Sequence, residues 1–235
     1  MHLPWLEEDD YLFPPTEEAL TTPNGLLAAG GDLSPERLIR AYAQGIFPWF
    51  SEDEPVLWWT PDPRCILNPN EFHASKSLRK LSRKNTYQVR CNVNFPEVIE
   101  HCSKERATQD GTWITEDMKE AYHNLHHLGF AHSVEVYRED NLVGGLYGIG
   151  IGKVFYGESM FSLEANASKL ALYHLSNHFV TNKYKLIDCQ VTSEHLLSLG
   201  AKEISREAFE SILCANLNST GLTPLELPPR LTLSE

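Results

Sequence analysis

The chain has 235 residues, 42% hydrophobic and 22% charged, which is ordinary for a globular protein and long enough for one large domain or two modest ones. A formal net charge of −12 argues against nucleic-acid binding by bulk attraction, so any such binding must come from a local basic patch. No apolar run is long enough to span a bilayer, the N-terminal MHLPWLEEDD is acidic rather than signal-like, and the five cysteines form no CxxC pair, so reduced thiols in a cytoplasmic, non-membrane protein are expected.

Residues 1–65 are rich in Pro, Gly and Trp and read as a small N-terminal α/β domain. Its one clear helix starts at Ser34, whose hydroxyl suits the cap, followed by Pro35 at the first helical position. Gly45 should end it. A second domain is expected over 66–235.

That second region opens on EFHASKSLRKLSRKNTYQV (71–89). Ser75 can cap a helix on which Lys76, Arg79, Lys80 and Arg83 form one stripe, and Lys84 extends it. The stripe is either a solvated helix face or a site for an anionic polymer. Helices follow at 94–104 and 115–129, the latter with Thr115 as cap and Gly129 as stop. His123, His126 and His127 have metal-ligand spacing, but no fixed carboxylate or cysteine partner accompanies them. A partly exposed helix face, and no metal, is the expectation.

AHSVEVYREDNLVGGLYGIGIGKVFYGESMF (131–161) predicts three strands, with REDN as one turn and GIGIGK as the next. The glycines lack the GK[ST] ending of a phosphate loop, so bulges and turns are the better account. On the third strand, Glu158 should share a face with Tyr156 and Met160. A helix over 166–180 can be capped by Asn166 or Ser168 and places Ser168, Ala171, Leu172, Leu175 and Phe179 on one face. A strand, a short helix, another strand and a last helix come next, and 220–235 reads as a loose tail.

The strand LIDCQV (186–191) is unusual. Asp188 and Gln190 lie two apart, so strict alternation points both the same way out of an otherwise apolar segment. Burying an unpartnered polar group costs about 2–7 kcal/mol. Either the two groups belong to an internal polar network or they face a substrate.

Taken together, GLLAAGGDLSPERLIRAYAQGIFPWF, LWWTPDPR, HASKSLRK, GTWIT, LVGGLYGIGIG, VFYGESMFS, NASKLAL and LIDCQ…HLLSLGA resemble the leucyl/phenylalanyl-tRNA–protein transferase family, in order from about residue 13 to about 210. The resemblance implies an α+β protein: a small N-terminal domain followed by a GNAT-like acyltransferase domain with a mixed, mostly antiparallel sheet flanked by helices. It implies transfer of Leu, Phe or Met from aminoacyl-tRNA onto an N-terminal Arg or Lys of an acceptor protein, without the ribosome and without a cofactor, marking that protein for degradation.

The resemblance also implies roles. Gln190 would handle the attacking amine, and Asp188 would orient it or receive charge. Glu158 would hold the acceptor's cationic N-terminal residue; the alternative is a cross-strand partner for a lysine such as Lys153. Leu146, Phe155, Met160, Leu175 and Ile187 would wall the aminoacyl pocket, or else be plain core. Trp49 and Trp113 would stack on the terminal adenosine, and Lys76, Arg79, Lys80, Arg83 and Lys84 would contact the tRNA backbone. Three other classes remain open on the sequence: an acetyl-CoA-dependent acyltransferase, an RNA-binding module without catalysis, and a metal hydrolase on the three histidines.

Overall fold

A computed structural model describes residues 3–84, 86–107 and 114–233, with residues 106 and 107 described by backbone alone. Helix α1 (Pro35–Ala43) forms where the cap and proline place it. The Ser34 hydroxyl accepts from Arg37 N, and Gly45 leaves the helix at a φ of +76°. Its inner face, Leu38, Ala41 and Tyr42, is fully buried. Around it lie β1 (Trp5–Leu6), β2 (Leu26–Gly30), β3 (Phe47–Pro48) and β4 (Leu57–Trp59), joined as a sheet in the order β1-β2-β4-β3. Trp58 anchors this unit, with no exposed surface and its indole N–H donating to Gly30 O at 2.9 Å.

The second sheet has seven strands in the order β11-β5-β10-β9-β8-β7-β6. They are β5 (Arg64–Leu67), β6 (Gln88–Cys91), β7 (Ala131–Arg138), β8 (Asn141–Ile151), β9 (Val154–Ser162), β10 (Leu186–Gln190) and β11 (Lys202–Ile204). β6 to β9 form an antiparallel meander. Helix α5 (Ala167–Thr181) then crosses over so that β10 runs parallel to β9, as a helical crossover requires. The expected order of hairpin, long helix, strand, short helix (α6, Glu194–Ser198) and strand is present, and the protein is α+β.

One face of this sheet carries α2 (Lys76–Ser82) and α5. The other carries α3 (Phe95–Ala107), α4 (Glu116–His127), α7 (Arg206–Thr220) and the small sheet. One apolar cluster runs from Trp58, Leu38 and Tyr42 into Phe95, Tyr122, Tyr147, Tyr156 and Phe209. A second, under α5, holds Leu78, Val134, Leu146, Phe155, Leu175, Phe179 and Ile187. Among the described residues no helix is long and apolar enough to cross a membrane.

The strand pairing is irregular at two places that shape a cleft beside β9 and β10. Between β8 and β9, Tyr147 faces Ser159 and Gly148 faces Gly157, so Glu158 is an extra residue. Between β5 and β10, Asp188 faces Ile66 and Gln190 faces Cys65, so Cys189 is extra. Such bulges re-aim side chains. The first one corrects the expectation for Met160. Tyr156 and Phe161 enter one core cluster while Phe155 and Met160 pack with the other, so Met160 lies across the sheet from Tyr156.

The GIGIGK turn is likewise shorter than expected. Gly148 and Gly150 are strand residues, and the reversal falls at Gly152 and Lys153. A Cβ on Gly148 would collide with the Tyr156 carbonyl, so glycine serves close strand approach there. The tail is not loose over 224–231. Leu225 and Leu231 are buried, and Cys91 N and Leu231 N bond across to Pro229 O and Val89 O, covering the β6 edge.

Candidate active site

A cleft of about 400 Å³ opens between the small sheet, the β8–β10 strands and the start of α6. This is within the usual range for small-molecule sites. Its apolar wall is built from cross-strand neighbours: Leu146 faces Met160, and Phe155 faces Ile187. Leu172 of α5 closes that wall. Leu175, expected there, is instead fully buried in the core beneath α5 and does not line the cleft. Trp49 stands at the mouth, 45% exposed, with its ring centroid 5.5 Å from that of Trp59 and its carbonyl accepting the Trp59 indole N–H. Trp113 lies outside the described residues.

The polar end of the cleft is made by Glu158 and Gln190. The Gln190 Nε2 donates to Glu158 Oε1 at 2.9 Å, so the two bulges bring these side chains together. Tyr42 Oη donates to the same oxygen at 2.8 Å, and Tyr122 Oη lies within hydrogen-bond reach of Oε2, at 2.9 Å. Glu158 is 6% exposed. Burial pushes its carboxyl up to about 7; the neighbouring Asp188 charge adds to the rise, and the bonds from Tyr42, Tyr122 and Gln190 oppose it. Lys153 is elsewhere: its Nζ donates to Asn182 O and lies over the Tyr184 ring.

Asp188 does not line the cleft. It is wholly buried, and its two oxygens accept from Arg64 Nε at 2.9 Å and Nη2 at 2.7 Å. The guanidinium is in turn sandwiched by Phe47 and Phe209 and donates to Gly45 O. Asp188 Oδ1 also accepts from Gln190 N at 3.0 Å. That bond holds Gln190 at a φ of +61°, the left-handed region that non-glycine residues avoid. The expectation that Asp188 meets the amine is therefore corrected: its charge is taken by Arg64, and it fixes the backbone that aims Gln190.

Helix α2 is capped by Ser75 Oγ, which accepts from Leu78 N at 3.1 Å. Leu78 is buried, whereas Lys76, Arg79, Lys80, Arg83 and Lys84 are exposed, and none of the five makes an ion pair among the described residues. The helix packs on α5, and the segment before it bonds to the residue after α6 through His73 N and Leu199 O. The three histidines do not converge. His126 stacks on Phe95 and its Nδ1 meets Ala131 O at 2.8 Å, and no metal-holding group occurs among the described residues.

Arg64, Tyr42, Tyr122 and Leu172 were not assigned to the site from the sequence. Tyr42 carried one signal: a large polar aromatic on the inner face of a capped helix, whose hydroxyl needs a buried partner.

A family profile described as Leucyl/phenylalanyl-tRNA protein transferase matches residues 66–214, and the profile of that family's N-terminal domain matches residues 31–62. The chain is similar to the leucyl/phenylalanyl-tRNA–protein transferase of Saccharophagus degradans, 52% identical over 217 residues, which cover 92% of this chain and 89% of that one. It is also similar to the protein of the same name from Pseudomonas putida, 54% identical over 216 residues, covering 92% and 96%. Among solved structures, a GCN5-related N-acetyltransferase from Kribbella flavida pairs with 73% of this chain and 61% of its own at a TM-score of 0.39 and 8% identity. The chain belongs to the leucyl/phenylalanyl-tRNA–protein transferase family, and it is an aminoacyltransferase that moves an aminoacyl group from tRNA to protein.

Proposed function

We propose that the protein transfers Leu, Phe or Met from aminoacyl-tRNA to the α-amine of an N-terminal Arg or Lys, in the cytoplasm, and so marks the acceptor for degradation. The observation that carries this reading is the cleft itself: an apolar wall of Leu146, Phe155, Met160, Leu172 and Ile187 ends on the Glu158–Gln190 pair. A donor side chain that is aromatic, or aliphatic without a branch at Cβ, fits such a wall. Met160 gives it latitude of shape, and one methylene changes binding by only about 1–3 kcal/mol. The carboxyl end of the cleft suits a cationic acceptor.

The reaction needs little more than placement. The tRNA ester is already activated, and an α-amine with a pKa of about 7.7–8.0 is partly neutral at pH 7. Holding ester and amine together contributes up to roughly 7–11 kcal/mol. The Gln190 amide can accept from the amine through its oxygen while its Nε2 stays on Glu158. Trp49 and Trp113 would stack on the terminal adenosine, at about 1–3 kcal/mol per base. The unpaired cations on α2 would contact phosphates, so selection would rest on the aminoacyl group rather than the tRNA sequence.

The test uses radiolabelled leucyl-tRNA and a peptide beginning with Arg, without ribosomes, ATP or metal. Labelled peptide is the expected product. Failure of a folded, tRNA-binding sample to transfer label to that peptide, while it labels one beginning with another residue, overturns the acceptor assignment.

A further inference from the structure

The hydroxyls of Tyr42 and Tyr122 and the carboxyl of Glu158 close a ring. Its edges are 2.7 Å between the two phenol oxygens, 2.8 Å from Tyr42 Oη to Glu158 Oε1, and 2.9 Å from Tyr122 Oη to Glu158 Oε2. All three edges are hydrogen-bond lengths, and each needs one hydrogen between its oxygens. Two phenols supply two hydrogens, and a carboxylate supplies none. An ionised Glu158 would leave two buried oxygens pressed together with only lone pairs between them. A carboxylic acid supplies the third hydrogen. Glu158 then donates through Oε2 to Tyr122, Tyr122 donates to Tyr42, and Tyr42 donates back to Oε1. Gln190 Nε2 donates to Oε1 as well, which either charge state of Glu158 accepts.

The surroundings agree with that count. Facing Glu158 are Tyr42 from α1, Tyr122 from α4, and Gln190 and Asp188 from β10; Tyr147 of β8 lies edge-on to Tyr122 at 5.4 Å. The nearby cation on β5, Arg64, is taken by Asp188. Among the described residues no lysine or arginine pairs with Glu158. Burial holds both phenols well above their ordinary range, so neither gives up its hydrogen instead.

We propose that in the empty site Glu158 is a protonated carboxylic acid locked in this three-oxygen ring, and that a bound acceptor cation expels its proton. The inference rests on the reading of Glu158 as the acceptor's cation site. When the guanidinium or ammonium docks, the Glu158 O–H bond breaks and the proton passes to solvent. Both phenols then donate to the new carboxylate, and the Tyr42–Tyr122 edge opens. One positive charge enters as another leaves, so the buried site never holds an unpaired charge. Tyr42 and Tyr122 are thus positioning residues that make cation binding a proton exchange.

Infrared difference spectroscopy on the whole chain tests this. At pH 6 a carbonyl stretch of a protonated, buried carboxyl is expected, shifted by ¹³C-glutamate labelling and missing from Glu158→Gln. A peptide beginning with Arg should abolish it, while the same peptide beginning with Ala should not. Raising the pH should remove it with a midpoint near 7. Tyr122→Phe removes a phenol that donates to the ionised carboxylate, so the midpoint should rise by about one pH unit or more; a change in stability with an unmoved midpoint overturns the positioning role. Absence of the band at pH 6, or its persistence with saturating peptide, overturns the proposal. Aminoacyl transfer measured on the same samples keeps the two readings apart: transfer without the band sinks only this inference, whereas the full band behaviour without transfer supports it and sinks the acceptor chemistry.

Discussion

Gln190 is held in a backbone conformation that costs a non-glycine residue about 1–3 kcal/mol. Asp188 offsets that by accepting Gln190 N, and Arg64 neutralises Asp188. The two residues of the strand therefore fail differently. Asp188→Ala leaves the Arg64 guanidinium buried without its anion, and a loss of about 3–5 kcal/mol in unfolding free energy is expected from denaturant titration. Gln190→Ala is expected to lower turnover at least tenfold while leaving tRNA affinity within twofold; equal losses in both would assign it to structure. Strand alternation marked both residues, yet it left open whether they met a network or a substrate. The structure divides them: Asp188 joins a network and Gln190 lines the cleft. What decides this is Arg64, 124 positions away, which no local pattern connects to Asp188. Glu158 adds a pH dependence. Its folded carboxyl is raised from 4.5 to about 7, so the folded state binds the proton more tightly than the unfolded chain does. The stability it contributes is full below about pH 4.5 and is lost as pH rises through 7. Glu158→Gln should remove on the order of 2–3 kcal/mol of that decline, seen as a flatter plot of Tm against pH between 5 and 8.

At the scale of elements, periodicity located the helices and strands but not their rotations. Leu172 and Leu175 both belong to the buried side of α5, and either suits a wall by spacing. Only the seat of the helix on the sheet turns Leu172 to the cleft and Leu175 to the core. Met160 shows the same limit for strands, because one inserted residue reverses every later side chain. Helix α2 was readable throughout: Ser75 caps it, Leu78 anchors it, and its cations face outward. Among the described residues those cations have no acidic partners, so their replacement should leave folding intact. Changing Lys76, Arg79, Lys80 and Arg83 together to Ala is expected to weaken tRNA binding and to reduce the log–log salt slope by about 3–4. An unchanged slope in a salt titration would take α2 out of the interface.

Across the whole molecule, the two sheets are not independent bodies. Composition places a boundary at residue 65, but Arg64 and Cys65 already lie in the large sheet, and Tyr42 of α1 reaches through to Glu158 on β9. Trp58, Leu38 and Tyr42 share one apolar cluster with Tyr122, Tyr156 and Phe209. Arg64 is likewise clasped between Phe47 of the small sheet and Phe209 of α7. Separating residues 1–65 would expose that cluster, strip Asp188 of Arg64 and leave Glu158 without Tyr42. The full chain should therefore unfold in one calorimetric transition, with equal van't Hoff and calorimetric enthalpies. A fragment of residues 66–235 still carries the basic helix and most of the cleft wall, yet should show no cooperative transition and no aminoacyl transfer. Two resolved transitions in the full chain, or a fragment that transfers leucine from tRNA, would mean that the small sheet is an appendage rather than one side of the site.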